Sequence, residues 1–300
     1  MTADNSALPH GISYLDDARR STTVGLEKDT EMGVGEHWFG EWPTAVQMEH
    51  GLTTAQGSIL HYYRLLADQL RAAGELFKAT ADDYREIDQG AKVDLEARAA
   101  GWDQVGTPAV APVQSAGEFR DTTRVPFINQ REDTSQYDPA WVHEQIRKVR
   151  DRQSWQRLQS AGAAFQSTSE RLTYVADLLR NNAESLAEEW ESETSVAAQR
   201  ALQRIAATAT HLADTAARMS TFANRSAEVL QEAVSSFPPE GDTRSFGEKF
   251  LDTINPFGDP NKEAKANQVR DALARLNEAY RDVNYTSLPG EVAADLPILP

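Results

Sequence analysis

Apolar residues recur along most of this chain at intervals of three and four, separated by polar ones. That spacing is one face of a helix with 3.6 residues per turn. A weak helix is predicted over about 9–33, where Ile12, Leu15 and Leu26 recur at helical intervals. The stretch Gly33-Val34-Gly35-Glu36-His37-Trp38-Phe39-Gly40-Glu41-Trp42-Pro43 then marks a turn, because glycine and proline punctuate it. A long amphipathic helix follows over about 44–99, with Leu52, Ala55, Ile59, Tyr62, Leu66, Leu70, Ala73, Phe77, Tyr84 and Ile87 as its stripe. At 1.5 Å per residue it spans roughly 80 Å and needs a partner along most of that length.

Residues 101–137 have no period and contain Pro108, Pro112 and Pro126, which reads as a linker. Asp138-Pro139 is a helix start, an N-cap acceptor followed by proline at the first helical position. The helix it opens is predicted to run unbroken to about 188 through Leu158, Phe165, Leu172, Val175, Leu179 and Leu186. A break near Trp190-Glu191-Ser192 is compatible with the pattern, though no glycine or proline forces one. The next helix, about 194–235, has the cleanest seam: Leu202, Ile205, Ala209, Leu212, Ala216, Met219 and Ala223 alternate steps of three and four. Pro238-Pro239 ends it. An apolar loop at 236–262 and a last helix at about 263–284, carrying Val269, Leu273, Leu276 and Tyr280, complete the pattern. No alternating run calls for a strand.

The predicted fold is all-α. Two long antiparallel helical hairpins pack as an elongated four-helix bundle, with a further short C-terminal helix. The divisions are an N-terminal hairpin at 1–100, a linker at 101–137, a second helical region at 138–288 with its apolar tip at 236–262, and an irregular tail at 289–300.

Composition narrows the function. The formal net charge is −16, so the chain lacks the basic footprint that nucleic acid requires, and none is expected as a partner. With no cysteine there is no disulfide, thiolate nucleophile or Cys-ligated zinc. Asp4, Asp16 and Asp17 stand where a signal peptide would carry positive charge and an apolar run, so export would need another route.

Catalytic patterns fail one by one. His143-Glu144-Gln145-Ile146-Arg147 begins like a zinc-protease motif, but Arg147 replaces the second histidine. His50 and His61 are too far apart along one helix to share a metal. Gly33-Val34-Gly35 has its next glycine at 40, and no strand precedes it. Neither an enzyme nor a cofactor is expected.

Two motifs remain. Trp38-Phe39-Gly40 lies at the turn of the first hairpin, and Tyr84-Arg85-Glu86-Ile87-Asp88 lies near the end of the following helix. Tyr84 and Asp88, four residues apart, share one helix face and can form a single recognition patch. In this arrangement residues 9–98 resemble the Trp-x-Gly family of type VII (ESX) secretion substrates of actinobacteria. In that family Tyr-x-x-x-Asp/Glu belongs to the export signal. Residues 139–284 resemble a PPE domain with Trp190 at its tryptophan turn, so the whole is similar to the EspB-like branch, in which PE-like and PPE-like hairpins are fused. The second turn lacks its glycine, reading Trp190-Glu191-Ser192, and the N-terminus has no PE or PPE dipeptide.

The resemblance implies a non-enzymatic, secreted or surface-located protein, recognised by the secretion machinery and its membrane ATPase. The signal would comprise Tyr84 and Asp88 with a turn tryptophan, Trp38 beside Gly40, or Trp190. Trp38 and Tyr84 fall at opposite ends of one helix, roughly 69 Å apart, whereas an antiparallel bundle would bring Trp190 toward Tyr84. At the tip, Phe246, Phe250, Leu251, Ile254 and Phe257 form either an exposed partner site or a segment folded back on the bundle. The resemblance implies an EspG-like chaperone there, and homo-oligomers after export. The rival readings are a cytoplasmic helical scaffold or adaptor, and a targeting module for an exported effector.

Overall fold

A computed structural model describes residues 7–31, 36–88, 102, 124–128, 131–189, 192–238 and 260–292, without the side chains at 7–10, 26–31, 84–88, 189 and 260–262. Six α-helices are present among them: α1 (Ala7–Glu31), α2 (Pro43–Asp88), α3 (Pro139–Asp151), α4 (Ser154–Glu189), α5 (Glu193–Ser236) and α6 (Pro260–Ser287). A single 3-10 turn covers Thr134–Gln136. No strand occurs among the described residues, only an isolated antiparallel bridge between Arg124 and Glu291.

The fold is all-α and built on helical hairpins. α4 packs along α5, and α1 packs on both α2 and α4. Gly11 faces Phe77 and Asn182, whereas Gly25 faces Tyr63 and Arg171, so α1 runs antiparallel to α2 and α4. α5 also opposes α2. Its Arg204 reaches Trp102, which packs at the far end of α2, and its Phe222 reaches Phe39 at the near end.

The periodic seams are the buried seams. All seven residues expected for α5 are fully buried, as are Leu158, Phe165, Leu172, Val175, Leu179 and Leu186 of α4. In α2 the seam passes through Tyr63, fully buried, while Tyr62 is half-buried between two core clusters. Both tyrosines satisfy a three-four pattern between Ile59 and Leu66, and only packing distinguishes them.

The unbroken helix expected from 139 is instead two helices. α3 stops at Arg152–Gln153, where Gln153 takes a positive φ of 52°. The cause is a phase slip in the seam. Val142, Ile146 and Val149 face the core, and the next fully buried apolar residue is Leu158. Nine residues of continuous helix rotate by about 900°, which would put Leu158 opposite Val149. The break restores the phase. The expected helix start is present, with Asp138 accepting from the backbone N–H of Ala140 at 3.0 Å.

The expected C-terminal helix is α6, and it is part of the bundle. Its Asn277 and Asn284 reach Trp42 and Met48 along the first turns of α2, so it covers the half of α2 that α1 leaves bare. The bundle therefore has two cores, one around α1 and one around α6. The 101–137 linker contributes to both: Trp102, Val125 and Ile128 are buried. Residues 289–292 form no regular element, yet Val292 is buried and Gly290 O accepts from Val125 N at 3.1 Å.

Candidate functional site

The Trp38-Phe39-Gly40 turn precedes α2 and is built into the α6-side core. Gly40 has φ +125°, a conformation that side-chain-bearing residues rarely adopt, and a Cβ there would lie 2.0 Å from the Trp42 ring. The missing side chain lets the backbone fold over that indole. Trp38 is buried to 7 % exposure, and its backbone N–H donates to Glu49 at 3.2 Å, tying the turn to α2. Phe39 is enclosed between Phe222 of α5 and Tyr280 of α6.

Trp42 and Tyr280 complete this cluster. Trp42 Nε1 donates to Asn277 Oδ1 at 2.8 Å, and the Tyr280 hydroxyl donates to Phe39 O at 3.2 Å. Complete burial holds the Tyr280 phenol well above its ordinary pKa. On the outside of the turn Glu41 pairs with Lys148 at 3.0 Å and faces Arg152 at 3.8 Å. The Lys148 hydrogen bond, opposed by desolvation, lowers the Glu41 pKa.

Beside the turn, Glu132 collects donors from three elements. It accepts from the Thr44 N–H at 3.0 Å and from Asn277 Nδ2 at 3.2 Å, and it also takes the hydroxyls of Thr44 and Tyr137. An aperiodic segment thus supplies the acceptor for an otherwise orphaned N–H in the first turn of α2. Tyr137 is raised far above the usual phenol range, first by burial and then by its bond to Glu132. Sequence reasoning missed Glu132, Asn277 and Trp42 as site-forming residues. A buried asparagine on the α6 seam was the one local signal.

Tyr84 and Asp88 fall in the last turns of α2, at the opposite end from the turn, so Trp38 and Gly40 do not meet them. Their side chains lie outside the described residues, as does Trp190. α2 and α4 run parallel, so their C-terminal ends share one end of the bundle. The described tryptophan at that end is Trp102, whose ring meets Phe77 edge-on at 4.6 Å and whose Nε1 donates to Thr80 Oγ1 at 3.4 Å. The α4–α5 turn resumes at Ser192, which caps α5 by accepting from Ser195 N at 3.0 Å. The five tip residues Phe246, Phe250, Leu251, Ile254 and Phe257 lie outside the described residues.

The catalytic look-alikes have other partners. Glu144 accepts from Arg147 through contacts of 2.7, 2.8 and 2.9 Å. His61 packs against Tyr62, and burial, aided by the Arg64 charge, lowers its pKa. No His, Asp and Glu group suited to a metal occurs among the described residues, nor does any helix there have the length and apolarity to cross a membrane.

No protein-family model matches the chain, and no curated protein matches it either.

Proposed function

We propose that this chain is a non-enzymatic substrate of a type VII (ESX) secretion system, recognised as a folded bundle and acting outside the cell. The observation that carries this reading is the continuity of α2. One helix of 46 residues starts just after the Trp-x-Gly turn and ends on Asp88, so Tyr84-x-x-x-Asp88 forms its last turns. An aromatic ring and a carboxylate four residues apart share one helix face, where a receptor can read them together. Trp38 is too buried to serve as a contact. In this proposal it sets the start of α2, and recognition falls on Tyr84 and Asp88 together with Trp190, the residue that follows the C-terminal end of α4. The partner is the membrane ATPase of the secretion machinery.

A second reading has its own support. Burial of Trp38 and the Trp42 contact at Gly40 explain the turn completely as core structure. Coincidental motifs on a cytoplasmic scaffold would look the same. Comparing culture filtrate with cell lysate for wild type and Tyr84→Ala/Asp88→Ala, in a host with an active type VII system, separates them. Export of wild type with retention of a stable double variant supports the secretion substrate. Equal distribution of the two proteins supports the scaffold.

A further inference from the structure

The break between α3 and α4 answers a phase slip in the seam, not a helix breaker. No glycine or proline lies between 140 and 161, so the backbone there suits one continuous helix. Instead Gln153, an exposed residue, is held at φ 52°, a left-handed conformation that costs a side-chain-bearing residue energy. Straightening the break would return Gln153 to an ordinary helical φ. It would also leave Val142, Ile146 and Val149 about 120–180° around the helix from Leu158. The apolar face of α3 would then point away from the seam of its own α4, where only another molecule could cover it.

The same break divides the chain into two units, each tied together. Before it, Lys148 pairs with Glu41 at 3.0 Å and Arg152 Nη1 donates to His37 O at 3.2 Å, so α3 is held to the turn that opens α2. α1 packs on α2 in the same unit. Beyond the break, α4 packs along α5, and α5 against α6. Contacts such as Phe39 with Phe222, Trp42 with Asn277 and Arg150 with Val234 O join one unit to the other. Contacts of this kind form equally well between two copies. We infer that this chain pairs with a second copy of itself by exchanging the unit before Gln153, with that residue as the hinge. In the exchanged dimer α3 and α4 of each chain are one helix over 139–189, and each α3 sits on the α5 and α6 of the other copy. The dimer keeps the contacts between units and relaxes Gln153 in both chains. The exchange does not depend on export.

Arg124 and Glu291 offer a direct test. They face each other across the isolated antiparallel bridge, one from each unit, and both side chains are exposed. Residues paired in this way have Cα atoms about 4.5–5.5 Å apart, within reach of a disulfide. The chain has no cysteine of its own. Arg124→Cys and Glu291→Cys are placed in separate chains, which are mixed in urea, refolded together at high concentration and oxidised. Any disulfide between positions 124 and 291 in this mixture joins two different chains, and peptide mapping reads it. The expected result is a dimer in which that disulfide exceeds the 124–124 and 291–291 products of random collision. Its yield should fall at least about tenfold when both chains also carry Gln153→Gly, because glycine adopts the positive φ without strain and weakens the straight helix. Refolding to monomer alone overturns the inference, as does a dimer without an excess of the 124–291 disulfide. A yield that Gln153→Gly leaves unchanged overturns it too, because strain at the hinge would then not drive the exchange.

Discussion

Trp42 stacks on Tyr280 with the rings 6.3 Å apart and only 10° from parallel, joining the residue just before the long α2 helix to the last helix. Both side chains are fully buried, and both polar atoms are bonded. Replacing Tyr280 by Phe keeps the stack and leaves Phe39 O without its donor, which is expected to lower stability by about 1 kcal/mol. Trp42→Ala removes the stack and opens a cavity, at an expected cost of about 3–5 kcal/mol. Urea unfolding followed by circular dichroism measures both. Equal effects would show that the ring stack contributes nothing beyond the hydroxyl.

Two kinds of glycine predict opposite outcomes. Gly40→Ala puts a Cβ into the Trp42 ring at a positive φ, and a loss above about 2 kcal/mol is expected. Gly57 lies inside α2 with open space around it, so Gly57→Ala is expected to stabilise the protein by about 0.5–1 kcal/mol. Thermal melts of the two variants check the contrast.

Trp102 makes a segment without periodicity part of the core. Trp102→Ala removes the edge contact with Phe77 and the bond to Thr80, and is expected to cost about 3–5 kcal/mol. A loss below about 1 kcal/mol would return this residue to the linker.

The Glu132 cluster is tested by Glu132→Gln. The amide keeps one acceptor oxygen where the carboxylate has two, so the Thr44 and Tyr137 donors can no longer both be satisfied. An expected loss of about 1–3 kcal/mol would appear in the unfolding midpoint.

Alkaline pH should also unfold the protein early. Tyr137 and Tyr280 hold their protons more tightly when folded than when unfolded, through burial and, at Tyr137, the Glu132 contact. A raised folded pKa contributes stability that is fully present below the unfolded phenol pKa, about 10, and is lost as pH rises through the folded one. Stability is therefore expected to fall from about pH 10 upward. The decline should weaken in Tyr280→Phe, as read by denaturant midpoints across the alkaline range.

Much of this fold was legible locally. The seam of α5 needs nothing but its own residues, since its strict three-four alternation permits one buried face. The division between α3 and α4 was legible too, as a nine-residue step from Val149 to Leu158, but it requires tracking phase as well as period. Trp102 and Glu132 were not legible. A lone aromatic or carboxylate in an aperiodic segment has no neighbours in sequence that define its face. For Tyr84 and Asp88 the structure adds the position at the end of α2, while the pairing of residue types came from sequence.

By itself, then, the sequence determined that this chain forms long amphipathic helices, roughly where they begin and end, and which stripe each one buries. These properties follow from backbone geometry and near neighbours. Tertiary structure decided what covers each stripe: α1 on the far half of α2, α6 on the near half, and a Trp-x-Gly turn closed beneath Tyr280. Those choices depend on contacts between residues far apart in the chain. Hydrophobic burial favours any cover of the right shape, and only the packed whole selects one.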